Sequence, residues 1–243
     1  MLFHTHVYYS KNVDKNLDSL KIIGSFIPDL AVTSAISWDD LHKKKNISDF
    51  FSYVEKSKPE FTSLLRGINY HNTLDYLTHT KYKNSVGYAY STINSELISL
   101  VSKAHSIDEA QARTNAHSYI ESAVEFFLLN ENSTLVKVVK DAVREINCTK
   151  LSKLFARFYK KGEKEMFDSI NFLISYATKY NLRDINGFVM MWSEYSEFFL
   201  KREADTNLVK EALQLSCKLS KNTYREFLNI AIATKETEIK DCN

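Results

Sequence analysis

All seven histidines of this 243-residue chain fall within its first 117 residues. His71 and Asp75 are a helical turn apart in sequence, as are Asp75 and His79, and the spacing recurs in His117 and Glu121. His4, His6 and His42 lie upstream. Imidazole and carboxylate groups are the donors that zinc and similar divalent ions take. The three cysteines, Cys148, Cys217 and Cys242, have no ligand spacing, which excludes a thiolate finger. The pattern therefore points to a His/Asp-rich metal centre built by the N-terminal half.

On an α-helix, His71, Asp75 and His79 fall within roughly 80° of one another, but the two histidines stand about 12 Å apart along the axis. Zinc–nitrogen bonds are about 2.0–2.1 Å, so these two are not expected to share one ion. Asp75 can offer one oxygen to each side, the geometry of a bridged, multinuclear cluster. His117 and Glu121 can hold one ion together, and opposite His79 they make a His/His/Glu set with a fourth position for water. Opposite His71, ligands could come from Asp29 and His42. His4 and His6 alternate, so an extended stretch would turn both the same way and close a further site with Asp75. Each piece alone is weak, because such pairs arise by chance on helix faces. His42 beside Lys43-Lys44-Lys45 also fits a solvated basic face, and Asp29 after Pro28 also fits a turn. His105 is given no role. The joint pattern is far more specific than any part.

The elements that must position these groups read as helices. Five glycines and two prolines are few for this length, and sheets with frequent turns draw on both. The expected fold is all-α, a single compact multi-helix domain. Residues 1–130 form its metal-binding helical part, and 131–243 a helical C-terminal extension packed on it. Residues 1–13 read as short extended or irregular chain, followed by a first helix near 14–23. Ser37 reads as an N-cap, and further helices are expected over 69–81, 86–104 and from Asp108 onward. Apolar residues at three- and four-residue spacing then mark 134–146, 150–160, 164–179, 185–203 and 207–234. Phe126-Phe127, Phe198-Phe199 and Met190-Met191-Trp192 read as packing residues.

A net charge of +2 gives no support for a stable nucleic-acid complex, although a local basic rim is compatible with it. An odd number of cysteines points to a reducing compartment. The N-terminus reads as lacking a signal peptide, and no apolar run reaches the length of a membrane span. Cytoplasmic location is the expectation. Composition does not address oligomeric state.

The order His4, His6, Asp29, His42, His71, Asp75, His79, His117, Glu121 resembles the ligand order of the zinc-dependent phospholipase C / S1–P1 nuclease superfamily. The resemblance covers about residues 1–125. It implies an all-helical fold and zinc as cofactor, two or three ions, with manganese or iron as substitutes. All nine residues become ligands, and Asp29 also becomes the group that takes a proton from, or orients, the attacking water. Two departures stand out. Family members use an N-terminal Trp as a ligand, a place that His4 could take here. They also carry five residues between the Asp of the H-x3-D pair and the next His, where this chain has three.

The chemistry so implied is hydrolysis of a phosphoester, with a phosphodiester as the expected bond, by a metal-activated water. Lys43 or Arg113 could hold phosphate. Two other classes rank behind. One is a non-enzymatic helical interaction protein with a structural metal site. The other is a di-iron oxidoreductase, disfavoured because no Glu-x2-His occurs.

Overall fold

Apolar residues recurring every three or four positions, with few glycines or prolines to interrupt them, fold into helices along the whole chain. The computed structural model describes residues 1–234, and these contain no strand, only an isolated Tyr82–Ser85 bridge. Cys242 lies outside the described residues. The helices are α1 (Phe3–Val13), α2 (Ser19–Gly24), α3 (Trp38–His42), α4 (Lys44–Ser57), α5 (Thr62–Asp75), α6 (Tyr88–Thr92) and α7 (Ser95–His105). There follow α8 (Glu109–Glu131), α9 (Thr134–Glu145), α10 (Cys148–Tyr159), α11 (Glu163–Lys179), α12 (Ile185–Tyr195), α13 (Thr206–Ser220) and α14 (Tyr224–Ala233). Short 3-10 turns occupy Ile27–Thr33 and Pro59–Phe61, and π turns occupy Tyr76–Thr80 and Ser196–Leu200. No helix among the described residues is long and apolar enough to cross a membrane.

Local chemistry explains the boundaries. Ser37 and Asp40 form a reciprocal capping box at the start of α3, and the Asp108 carboxylate accepts the Gln111 N–H at 2.8 Å at the start of α8. The stretch read as one helix over 86–104 breaks at Ile93-Asn94, where Asn94 caps α7. That over 207–234 breaks between α13 and α14. The largest departure is at the N-terminus. Residues 3–13, expected to be extended, form α1.

The chain divides into two compact units that interleave in sequence. One comprises Met1–Thr5, Asp75–Ser133 and Tyr180–Ala233; the other holds His6–Leu74 and Thr134–Lys179. Each draws on both sides of residue 130, where the sequence reading put its boundary.

In the first unit α7, α8, α12 and α13 pack on one another. Tyr119 stacks on Trp192 at 4.8 Å between ring centroids, and the Trp192 indole N–H donates to Ser122 Oγ at 3.1 Å. Met191 and Trp192 are buried as expected, but Met190 (64% exposed) and Phe198 (52% exposed) face outward.

In the second unit Phe50 of α4 packs on Phe155 of α10 at 5.0 Å, and α11 packs on α9 and α10. There α2 and α5 cross backbone to backbone at Gly24 and Gly67. A Cβ on Gly67 would stand 2.2 Å from the Lys21 carbonyl oxygen, and one on Gly24 would stand 2.3 Å from that of Leu64. Only glycine permits so close an approach.

Candidate metal centre

In the second unit the glycine crossing sets the chain just after α2 against α5. Ser25, next to Gly24, thereby brings its carbonyl oxygen 3.0 Å from His71 Nδ1. A carbonyl can only accept, so Nδ1 carries a proton, and in the neutral ring Nε2 is the nitrogen with the lone pair. His6 and His71 are buried, and their rings stack at 3.9 Å with planes 10° apart. His6, His71 and the half-buried Asp29 of the Ile27–Thr33 turn each offer a donor atom within 4.8 Å of the others. The His42 ring lies 5.5 Å from that of His71. Its Nδ1 is 2.9 Å from the Trp38 carbonyl oxygen one turn back, so Nδ1 of His42 is a donor as well. Trp38 stacks flat on the His42 ring at 3.3 Å and is 49% exposed.

In the first unit α8 supplies His117 and Glu121 one turn apart, and the π turn at Tyr76–Thr80 supplies His79. The expected α-helix through residue 81 instead ends at Asp75 and widens into that turn. Such single π turns are frequent at functional sites. Gly87 lies against this segment so closely that a Cβ there would stand 2.2 Å from the His79 carbonyl carbon. The chain after it carries Tyr90, whose ring lies 4.9 Å from that of His117. His79 Nε2 is 2.6 Å from Glu121 Oε1, and its Nδ1 is 3.6 Å from Asp75 Oδ2. His117 Nε2 lies 3.8 Å from Glu121 Oε1, while its Nδ1–H is given to the Thr114 carbonyl oxygen. His79, His117 and Glu121 thus form a second group of donors within 4.8 Å of one another.

The Met1 α-amino group joins this group, 3.0 Å from Asp75 Oδ1 and 3.5 Å from Glu121 Oε1. Burial pushes the Glu121 carboxyl up, but the Met1 ammonium and the charges and hydrogen bond of His79 and His117 outweigh it. They hold it well below the usual carboxylate range. Burial pushes the His117 imidazole down, more than the Glu121 carboxylate raises it. A neutral imidazole and an ionised carboxylate are the forms that bind a metal ion.

His4 does not join His6 on one side of an extended strand. On α1 the two point roughly 160° apart. His4 Nδ1 meets Glu125 Oε1 at 2.7 Å. The same buried carboxylate accepts the His4 N–H at 2.9 Å, the Thr5 N–H at 2.7 Å and the Thr5 hydroxyl at 2.6 Å. Glu125 therefore satisfies backbone donors that the first turn of α1 leaves without intrahelical partners, and its charge suits the positive end of that helix. Burial raises the Glu125 carboxyl, yet the His4 and Thr5 contacts hold it below its ordinary value.

The structure thus gathers His6, Asp29 and His71 in the second unit, with the His42 ring beside His71, and His79, His117 and Glu121 in the first, with Asp75 beside His79, and it sets His4 apart as an anchor. Sequence reading missed Glu125, the Met1 amine and the three backbone carbonyls. Glu125 carried a signal: it sits one turn after Glu121, in an otherwise apolar stretch of α8. Of the proposed phosphate-holding cations, Lys43 pairs with Asp39 at 2.6 Å and Arg113 with Glu109 at 3.3 Å, both at the surface. His105 is buried in the first unit with its Nε2 2.7 Å from the Tyr119 hydroxyl.

The donor chemistry of both groups, imidazole nitrogen with carboxylate oxygen, fits zinc, manganese or iron. Comparison with family models, with curated proteins and with solved structures finds no match to this chain.

Proposed function

We propose that this chain is a metal-dependent hydrolase acting on phosphate esters, with a phosphodiester as its substrate class. The observation that carries the reading is a shared orientation. His42, His71 and His117 each give Nδ1–H to a backbone carbonyl, of Trp38, Ser25 and Thr114, which in the neutral ring leaves Nε2 as the nitrogen with the lone pair. Metal-binding histidines are held in this way, with the second ring nitrogen tied to a carbonyl or carboxylate that fixes tautomer and ring direction. Three such histidines beside carboxylates make a preorganised donor set.

His6, Asp29, His42 and His71 would hold one ion, and His79, His117, Glu121 and Asp75 another. Ions bound there would supply a water of lowered pKa and positive charge for phosphoryl oxygens. The chain's own groups do the rest. The His79 and His117 side chains are 20% and 19% exposed, so this group is the one that water and substrate can reach. His6 and His71 are closed off, as in a structural site. Asp29, half-buried beside them, belongs to this closed group and is read there as a ligand rather than as the base for the attacking water. Tyr90, 36% exposed against His117, forms a wall on which a substrate group can rest. The closed character of the His6/His71 group favours a second reading, a structural metal in a non-enzymatic helical protein.

The test is elemental analysis of the purified chain and of Asp75→Ala, followed by hydrolysis of bis-p-nitrophenyl phosphate before and after chelation. Bound metal that falls in the variant, with activity lost on chelation and regained on adding zinc or manganese, supports the hydrolase. Unfolding on chelation without any activity favours the structural metal. A chain that takes up no zinc, manganese or iron refutes both.

A further inference from the structure

His105 and Tyr119 are buried in the first unit, 1% and 0% exposed, and neither belongs to the metal groups. His105 Nε2 lies 2.7 Å from the Tyr119 hydroxyl, and its Nδ1 has no hydrogen-bond partner among the described residues. The direction of the bond follows from what each choice leaves unmet. If Nε2–H donated, both the phenolic proton and the Nδ1 lone pair would be stranded. If the hydroxyl donates to Nε2, only the Nδ1 proton is. Buried polar groups left alone are destabilising, so the hydroxyl is the donor. Burial pushes the imidazole down to about 4, which keeps Nε2 unprotonated at neutral pH.

Tyr119 is the inner end of a line of aromatic rings. It stacks on Trp192 at 4.8 Å between centroids with planes 12° apart, and Trp192 meets Tyr195 edge-on at 5.1 Å. Tyr195 is half-buried, so the line reaches the surface there. Of the three rings, Tyr119 alone has a base as its partner. The Trp192 N–H donates to Ser122 Oγ at 3.1 Å, and the Tyr195 hydroxyl to Asn115 Oδ1 at 3.4 Å. Neither a hydroxyl nor an amide takes up a proton at neutral pH. Packing accounts for the stacked rings, but it gives no reason for a buried ring nitrogen that nothing satisfies, and such a group calls for a role.

We infer that Tyr119 with His105 is a one-electron redox site, which stores an oxidising equivalent received from a small oxidising radical through Tyr195 and Trp192. An electron leaves Tyr195 for the oxidant and is replaced from Trp192, and then from Tyr119. As Tyr119 is oxidised its O–H bond breaks, and the proton forms an N–H bond at His105 Nε2. The products are a neutral phenoxyl radical, an imidazolium and the reduced oxidant. A thiolate returns the electron along the same rings, the proton goes back from Nε2 to the phenolate oxygen, and two thiyl radicals join as a disulfide. The oxidised phenol is a strong acid, so even a weakened base takes its proton. Rings without a base hold the oxidising equivalent only in passing. Buried from solvent, the phenoxyl is kept from coupling with a second chain. The inference goes beyond the hydrolase reading and uses neither a metal nor a phosphate ester.

The experiment oxidises the full chain with azide radicals made by pulse radiolysis, in a Trp38→Phe background that leaves Trp192 as the one indole. Indolyl and phenoxyl radicals are followed by their separate visible absorption bands, and circular dichroism confirms that each variant is folded. The indolyl signal should convert to phenoxyl at a rate that is independent of protein concentration and slower in heavy water. Tyr119→Phe and His105→Gln should each lower the phenoxyl formed in that step at least tenfold. Tyr195→Phe should slow the appearance of the indolyl radical and leave its conversion to phenoxyl unchanged within twofold. Conversion that survives in Tyr119→Phe or in His105→Gln, or that is lost equally in Tyr195→Phe, overturns the inference. So does a phenoxyl that decays by coupling of two chains, which would place the radical on a surface tyrosine.

Discussion

Replacing Glu125 by Gln tests whether one buried carboxylate fixes the N-terminal residues beside the metal donors. Oε1 accepts from the His4 ring and the His4 N–H, and Oε2 from the Thr5 N–H and hydroxyl. An amide keeps one acceptor oxygen and turns the other position into a donor, so two of the four donors lose their partner and face a like group. Leaving a buried donor unsatisfied costs about 1–3 kcal/mol. Two such losses, eased by rearrangement of the Thr5 hydroxyl, amount to about 3 kcal/mol. With a urea dependence of about 2–3 kcal/mol per molar, the unfolding midpoint should fall by roughly 1 M at unchanged slope. Glu131→Gln is the control. That carboxylate, 41% exposed, pairs with Arg225 at the surface, and its loss should cost under about 1 kcal/mol. Because Glu125 also holds the turn that carries the Met1 amine to Asp75 and Glu121, metal retention should fall with stability in Glu125→Gln and not in Glu131→Gln. A midpoint shift below about 0.2 M, or equal shifts in the two variants, would refute the reasoning.

His105 gives the fold a dependence on pH. Burial pushes its imidazole down from 6.5 to about 4, so between these values the unfolded chain takes up a proton that the folded chain refuses. The contribution is complete above pH 6.5 and lost as pH falls toward 4, amounting to about 3 kcal/mol at 1.36 kcal/mol per unit. His105→Gln should flatten that limb of a stability–pH curve measured by urea titration, and an unchanged limb would dismiss the assignment. In the second unit, Gly67→Ala sets a methyl 2.2 Å from the Lys21 carbonyl oxygen. The overpacking should cost at least about 2 kcal/mol, and calorimetry showing a melting temperature within a degree of the parent would contradict the close crossing.

The legible parts of the molecule were those governed by a short period. Scarce glycine and proline with three- and four-residue spacing announced helices, and the same period put His117 beside Glu121 and Asp75 beside His79. Ser37 was legible as a cap and Asp108 as the start of a helix because their partners lie within one turn. The reading failed where the deciding partner lies far along the chain. His4 and Thr5 gave no sign of helix because the group that completes their first turn, Glu125, is more than a hundred residues away. The π turn at Tyr76–Thr80 was illegible for another reason: its residues have ordinary helical character, and packing against Gly87 rather than local propensity accompanies the wider turn. Gly67 was a missed clue, since a glycine in the middle of a helix is destabilising unless something else must come close.

The orienting carbonyls show why a ligand pattern understates a metal centre. Any residue type supplies a carbonyl, so neither Trp38, Ser25 nor Thr114 could be singled out from its side chain. For His42 and His117 the partner is the residue four or three positions earlier on the same helix. Helical side chains lean toward the N-terminus and meet the preceding turn without tertiary help. His71 reaches Ser25, which is distant in sequence and brought near through the Gly24–Gly67 crossing. One tautomer therefore arises by two routes, local at two histidines and tertiary at the third. Loosening the crossing should release His71 and leave the ring of His117 as it was. In Gly67→Ala, histidine ring nitrogen shifts measured by NMR should change at His71 while His117 keeps its Nδ1–H form. Equal change at both would mean that packing, and not the helix itself, orients His117.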